Sequence, residues 1–174
     1  IFARNWKTGE KIPDELFAKF DASRKFMGAS ASMRQLSFAK IDLDMHINPA
    51  KYLDSPDIEQ TARDTLAAYS RDTSEPVPSI LPRFTHLFGD PVGYAAGYYS
   101  YKWAEVLDAD AFTRFEREGV LNPETGREFA DKILRVGNTI DADAAFRNFM
   151  GRDPDASALV ARSIDSAARG AAEG

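Results

Sequence analysis

Three tyrosines and a glutamate in the middle of the chain are spaced so that one helix face could carry all of them. Their positions follow the i, i+4, i+7, i+11 pattern of a helical stripe: Tyr94, Tyr98, Tyr101 and Glu105. A helix turns by about 100° per residue, so these side chains are predicted to lie together. A phenol offers a donor, an acceptor and a ring, which suits it to holding a peptide backbone or an oxyanion. The same spacing is also typical of tyrosines that pack between helices with their hydroxyls at the rim.

The stretch that carries these side chains is predicted to be a helix that follows a turn. The turn, residues 89–93, contains two glycines and a proline, and the helical pattern then continues to Leu107. The opposite side of this helix carries apolar and aromatic residues: Ala96, Tyr99, Trp103, Val106 and Leu107. One face is therefore predicted to pack in a core, while the phenols and the carboxylate occupy the other.

Outside this stretch the sequence offers few groups for catalysis. It has two histidines, His46 and His86. It lacks the H-E-x-x-H pair that binds zinc from a helix, the phosphate-binding glycine loop and the G-x-S-x-G elbow. His46 lies beside an apolar stripe, where a histidine is more often a hydrogen-bonded packing residue than a ligand. The residues alone therefore identify no group that activates water.

Composition narrows the class of protein. The chain has 174 residues, of which 44% are hydrophobic and 28% charged, which is ordinary for one soluble globular domain. Its net charge of −5, with both signs intermixed, argues against a nucleic-acid surface. No apolar run approaches the roughly 18 residues that a membrane span needs. The chain has no cysteine, which excludes disulfides and thiolate metal sites, and we expect a cytoplasmic protein.

Apolar residues recur at helical spacing along the chain and predict an all-α fold of about seven helices. One predicted helix covers residues 30–47, and Asn122-Pro123 is typical of a helix start. No run alternates over the length of a strand. We expect a single helical domain, residues 1–166, followed by a flexible tail of small residues, 167–174.

The tyrosine stretch, Y-A-A-G-Y-Y-S-Y-K-W-A-E-V-L at residues 94–107, resembles a segment of the thimet oligopeptidase family of zinc metallopeptidases, which includes oligopeptidase A and the peptidyl-dipeptidases. In that family the segment follows the catalytic zinc site. Four other stretches resemble the family in the same order: 2–13 (F-A-R, K-T-G-E, I-P), 34–39 (R-Q-L-S-F-A), 124–127 (E-T-G-R) and 151–154 (G-R-D-P). The resemblance therefore extends over nearly the whole chain, and the tyrosine stretch is its specific part.

The resemblance implies the C-terminal part of a helical, zincin-like peptidase whose active site lies in a deep channel. In the family, the zinc ligands and the water-activating glutamate lie upstream. A zinc-bearing portion is therefore expected before Ile1, and no metal ligand within this chain. A tyrosine matching Tyr101 donates to the oxyanion of the tetrahedral intermediate, one matching Tyr94 contacts the bound peptide, and a histidine matching His86 lies nearby. Tyr98 shares their face and is expected to contact substrate or to support its neighbours.

The loop from His86 to Tyr94 departs from the family pattern, because it is longer than the family's compact glycine loop. Three interpretations of the chain stay open. The first is hydrolysis of short peptides, which needs the zinc-bearing portion, so that this chain by itself is inactive. The second is a non-enzymatic helical module that binds peptides or a partner protein through the phenols. The third is an inactive piece whose exposed apolar flank makes it self-associate. The peptidase interpretation requires the phenols to line an open groove.

Overall fold

The computed structural model describes residues 3–70 and 79–163, and these are mostly helical. The helices in chain order are α1 (Asp14–Lys25), α2 (Gly28–Ile47), α3 (Pro49–Leu53), α4 (Ile58–Thr65), α5 (Ser100–Glu118), α6 (Pro123–Phe129), α7 (Ala142–Met150) and α8 (157–163). Short 3₁₀ turns lie at Ala67–Tyr69, Leu81–Arg83 and Thr85–Leu87, and a π-helical turn, Ala130–Leu134, follows α6. Strand-like pairing within the described ranges is limited to one bridge between Arg4 and Lys11, so the predicted all-α class is confirmed.

The predicted tail, residues 167–174, lies outside the described residues, and the extent of the single domain, 1–166, stays a prediction. Of the helices within residues 3–70 and 79–163, none combines the length and apolar character needed to cross a bilayer.

Helix α2 is the platform of the first of two hydrophobic cores. Ile41 at its centre is fully buried and packs with buried side chains from α3, α4 and the 3₁₀ turns: Tyr52, Ala62, Phe84 and Leu87. Phe38, about one turn earlier on α2, lies 5.5 Å from the ring of Phe84 and 5.7 Å from that of Tyr98. Complete burial of such a side chain stabilises a fold by about 1.5–3 kcal/mol. Packing on α2 therefore holds the segment that leads into α5.

The second core joins the C-terminal half of α5 to α6, the π-helical turn and α7. Phe149 of α7 is buried, and its ring centroid lies 5.4 Å from that of Phe129 and 6.0 Å from that of Phe115. The guanidinium of Arg114 lies 4.6 Å from the Phe149 ring centroid and donates to the Phe149 carbonyl oxygen over 2.6 Å. Tyr98, just before α5, packs against the first core and Phe115 of α5 against the second, so the chain from Tyr98 through α5 connects the two.

The start of α5 differs from the prediction. The sequence pattern predicts that the helix already includes Tyr94, whereas α5 begins at Ser100 and residues 94–99 form turns. Ala96 even takes up a left-handed backbone conformation, with φ of 54°. The reason is a long-range contact, since Asp42 of α2 accepts hydrogen bonds from the backbone N–H groups of Ala96 and Tyr98. Tertiary contacts of this kind override a local helical preference.

The predicted core side of α5 is only partly buried. Val106 and Leu107 are partly covered, but Tyr99 and Trp103 are exposed. Contact with α2 is made instead by Tyr98, which precedes the helix. Tyr99 and Trp103 stay at the surface of the described part of the chain.

Candidate functional site

Two half-exposed phenols form the centre of the candidate site. The hydroxyl of Tyr101, in the first turn of α5, donates to the hydroxyl of Tyr94 over 3.2 Å. Their rings are nearly parallel, with centroids 6.3 Å apart and an interplanar angle of 12°. Tyr94 is 45% and Tyr101 47% exposed, so the pair lies at the surface rather than inside a closed core. The two phenols meet as predicted, although only Tyr101 lies on the helix.

His86 joins this pair from the 3₁₀ turn that precedes the loop. Its ring meets the Tyr94 ring edge-on, with centroids 5.2 Å apart and an interplanar angle of 85°. On its other side it lies 5.2 Å from the buried ring of Phe84. The imidazole itself is exposed. The structure thus places His86 beside Tyr94.

The loop between His86 and Tyr94 is folded back by one carboxylate. Asp90 accepts hydrogen bonds from the backbone N–H groups of Val92 (2.7 Å) and Gly93 (2.9 Å), which is the geometry of a local side-chain turn. These bonds hold the pKa of the Asp90 carboxyl below its ordinary value. The loop thus folds back on itself at Asp90, and the His86 ring contacts that of Tyr94.

Tyr98 differs from the other two tyrosines because its hydroxyl is already engaged within the fold. It donates to the side-chain oxygen of Gln35 on α2 over 3.1 Å. Its ring lies 5.1 Å from that of Phe84 and 5.2 Å from that of Tyr101. Tyr98 therefore packs against the Tyr101 ring and links it to α2 through the hydrogen bond to Gln35.

Asp42 is the residue that the sequence analysis missed. Its side chain is fully buried, and its two oxygens accept the backbone N–H groups of Ala96 (3.1 Å) and Tyr98 (2.8 Å). His46, one turn further along α2, places Nδ1 3.0 Å from Asp42 Oδ1. A signal was present in the sequence, since an aspartate directly after Ile41 lies within the apolar side of α2 and needs partners there.

His46 is a packing residue, as expected. Its Nδ1 also lies 2.8 Å from the backbone carbonyl oxygen of Asp42, and its ring stacks on that of Phe88 with centroids 5.5 Å apart. The imidazole thus packs beside the buried Asp42 side chain and does not contact Tyr94 or Tyr101 through its hydrogen bonds or its ring stacking.

Glu105 completes the predicted stripe but is not a free carboxylate. It accepts a hydrogen bond of 2.5 Å from the ammonium group of Lys102. The pair leaves Glu105 about half exposed along the edge of the phenol surface. A role as an unpaired general base is therefore not what this geometry favours.

The phenol pair can donate two hydrogen bonds to one oxygen atom. Its hydroxyl oxygens, 3.2 Å apart, can both lie about 2.7 Å from a single acceptor, which then sees them at an angle of about 70°. The hydrogen bond to Tyr94 raises the pKa of the Tyr101 phenol above its ordinary value. Tyr101 therefore keeps its proton at neutral pH and can turn it from Tyr94 towards a ligand oxygen.

The described residues do not form a metal centre. Across residues 3–70 and 79–163, no group of three or more histidine, aspartate or glutamate side chains is arranged to hold a metal ion. What the site offers is donors and aromatic surface, which suits it to binding an oxygen-rich ligand.

Comparison with known families identifies the chain. The model of peptidase family M3 matches residues 1–163. The chain belongs to peptidase family M3. The chain is 40% identical over 160 residues to oligopeptidase A of Escherichia coli K12. It is 39% identical over 164 residues to the chloroplastic and mitochondrial organellar oligopeptidase A of Arabidopsis thaliana. Dipeptidyl carboxypeptidase of Escherichia coli K12 is 35% identical over 161 residues.

These M3 relatives are much longer than the chain. The matches cover 90%, 91% and 88% of this chain but only 22%, 20% and 22% of the respective relatives. The chain therefore spans about a fifth of the length of the peptidases it matches, and it includes the tyrosine stretch with Tyr94 and Tyr101.

Proposed function

We propose that this chain is the C-terminal, substrate-binding part of a zinc metallopeptidase that hydrolyses short peptides. The observation that carries the proposal is the half-exposed pair of Tyr94 and Tyr101, whose hydroxyls lie 3.2 Å apart in a chain that belongs to peptidase family M3. Such a pair suits the oxygen that gains negative charge when water adds to a peptide carbonyl.

In this proposal Tyr101 is the catalytic residue. Its hydroxyl donates a hydrogen bond to the oxyanion and so stabilises the transition state more than the bound substrate. Tyr94 is the second donor and holds the peptide, and His86 covers the edge of the Tyr94 ring. Tyr98 is a positioning residue, because its hydroxyl is held by Gln35.

Zinc would supply the polarised water in the complete enzyme. The described residues do not fit a zinc site, so the ion would be held by another portion of the same enzyme, and this chain by itself is expected to be inactive. The expected partners are that zinc-bearing portion and short peptides, and the expected location is the cytoplasm.

A chimera tests the role of Tyr101. The corresponding part of Escherichia coli oligopeptidase A is replaced by this chain, and hydrolysis of a short fluorogenic peptide is measured. We expect Tyr101→Phe to lower kcat by about 10²–10³ while KM changes little, because the lost donor acts mainly in the transition state. The matched control is Tyr99→Phe, because the Tyr99 phenol is also exposed but is not part of the hydrogen-bonded pair of Tyr94 and Tyr101. Unchanged kcat in the Tyr101 variant would remove this residue from the mechanism.

The alternative is a non-enzymatic module that binds peptides through the same phenols. The half-exposed rings of Tyr94 and Tyr101 favour it as a second candidate. Isothermal titration calorimetry of the chain with short peptides, combined with the chimera, separates the two. Saturable binding by the chain together with an inactive chimera would favour the module, whereas an active chimera that depends on Tyr101 would favour the peptidase.

A further inference from the structure

A cleft lined by basic side chains opens between the end of α1, the first half of α2, the start of α5 and α8. It encloses about 360 Å³, and five cationic side chains line it: Arg24, Lys25, Arg34, Lys102 and Arg162. Glu105 is the one carboxylate among the lining residues that the structure describes. The whole chain carries a net charge of −5, so this cleft concentrates positive charge on an otherwise acidic protein.

Part of this positive charge is already neutralised by neighbouring carboxylates. Three of the cations are paired, at 2.5–2.8 Å: Lys25 with Asp21, Lys102 with Glu105 and Arg162 with Asp108. For Arg24 and Arg34, by contrast, residues 3–70 and 79–163 provide no ion pair. These two guanidinium groups carry the charge that is available to a ligand.

Arg34 packs against an aromatic side chain of its own helix. Its guanidinium lies 4.5 Å from the ring centroid of Phe38, one turn further along α2. The N–H groups of a guanidinium match the two oxygens of a carboxylate. The cleft therefore favours a planar anion with two acceptor oxygens.

The wall of the cleft formed by α8 depends on a glycine. A Cβ atom at Gly28, the first residue of α2, would lie 2.5 Å from the carbonyl oxygen of Ser163. Only glycine permits this approach of Ser163 in α8, whose neighbour Arg162 lines the cleft.

The cleft adjoins the helix that carries Tyr101. Gln35 lines the cleft and accepts the hydrogen bond from Tyr98, whose ring is 5.2 Å from that of Tyr101. On α5, Glu105 lies about 40° and Lys102 about 100° around the helix axis from Tyr101. Tyr101 and the two α5 residues that line the cleft therefore lie on neighbouring sides of the same helix.

We propose that this cleft is a subsite that selects peptides with an acidic group, either an aspartate or glutamate side chain or a chain-terminal carboxylate. The proposal rests on the proposed function, because the phenols must hold the peptide beside the cleft. Arg34 and Arg24 bind the carboxylate, and the paired cations Lys102 and Arg162 add long-range attraction.

The experiment compares peptides that differ only in charge. The chain is titrated with blocked hexapeptides in which glutamate or glutamine is moved from position to position, and dissociation constants are measured by calorimetry. At one position we expect glutamate to bind about tenfold more tightly than glutamine, since a bidentate pair with arginine is a strong charge-assisted contact. The preference should shrink as salt is raised from about 50 to 500 mM. A glutamine peptide with a free C-terminus, compared with its amide, tests the terminal carboxylate as the source.

Variants assign the preference to the cleft. Arg34→Gln should reduce the tenfold preference to less than about threefold and leave the glutamine peptide unaffected. Lys19→Gln is the matched control, because Lys19 is an exposed cation of α1 that does not line the cleft. Equal affinity for both peptides at every position, or no binding of either one at millimolar concentration, overturns the proposal. Neither result decides the role of Tyr101, which the chimera tests separately.

Discussion

The buried carboxylate of Asp42 should determine whether the tyrosine turn keeps its shape. Asp42 is fully buried and accepts the N–H groups of Ala96 and Tyr98 at 3.1 and 2.8 Å. The turn that it holds contains Ala96 at φ of 54°, a conformation that costs a residue with a Cβ atom about 1–2 kcal/mol. The two hydrogen bonds offset this strain.

Asp42→Asn preserves the shape of the side chain and removes one acceptor. The new NH₂ group faces a backbone N–H, which then stays buried without a partner at a cost of about 1–3 kcal/mol. Removal of a buried charge offsets part of this destabilisation, so we expect the free energy of unfolding to fall by about 1–2 kcal/mol. For a chain of this length the loss corresponds to a decrease in Tm of about 2–8 °C.

Urea unfolding and amide hydrogen exchange, measured on the same samples, check this prediction. Besides the loss of stability, the amides of Ala96 and Tyr98 should exchange about tenfold faster, while the amide of Phe149 in the second core follows global stability alone. Asp64→Asn is the control, because Asp64 is an exposed carboxylate of α4. Unchanged protection of Ala96 and Tyr98 in the Asp42 variant would refute the inference that this carboxylate holds the turn.

Two further predictions concern the cores. At Asp44, desolvation alone would raise the carboxyl pKa, but hydrogen bonds from Lys51 and Tyr52 lower it to about 2. The ionised carboxylate therefore contributes about 2 kcal/mol to the free energy of unfolding. This contribution is complete above about pH 4 and is lost as the pH falls through 2. Urea unfolding at pH 5 and 2.5 should show that Asp44→Asn loses less unfolding free energy between the two pH values than the unaltered chain does. An equal loss in both proteins would contradict this prediction. Phe149→Ala should cost about 3–5 kcal/mol, because the ring is only 2% exposed. The control Phe17→Ala, at an exposed position of α1, should leave Tm almost unchanged.

Local sequence patterns were sufficient to predict much of the helical framework. The helix predicted at residues 30–47 is α2, Gly28–Ile47. Asn122 caps α6 as expected, since its side chain accepts the N–H of Glu124 over 2.9 Å. These features depend on residues close together in the chain, where capping and apolar spacing act directly. The all-α class follows from the same signals.

The contacts that shape the site could not be predicted in this way. Asp42 lies more than fifty residues before the turn that it binds, and no periodicity in a single sequence pairs positions so far apart. The prediction that the helix already includes Tyr94 was wrong for this reason. The cationic cleft was missed because Arg34, Lys102 and Arg162 come from three helices, whereas their charges are diluted along the sequence by acidic neighbours.

The three tyrosines of the predicted stripe divide their work according to what their hydroxyls contact. Tyr98 donates to Gln35 of α2, so its phenol is committed to the fold. Tyr94 and Tyr101 bond only to each other through their hydroxyls among the described residues, and each is about half exposed. An approaching carbonyl or carboxylate oxygen can replace that single weak bond without breaking any contact that holds α5 on α2. The fold thus keeps two donors available because a third tyrosine and a buried aspartate fix the segment that carries them.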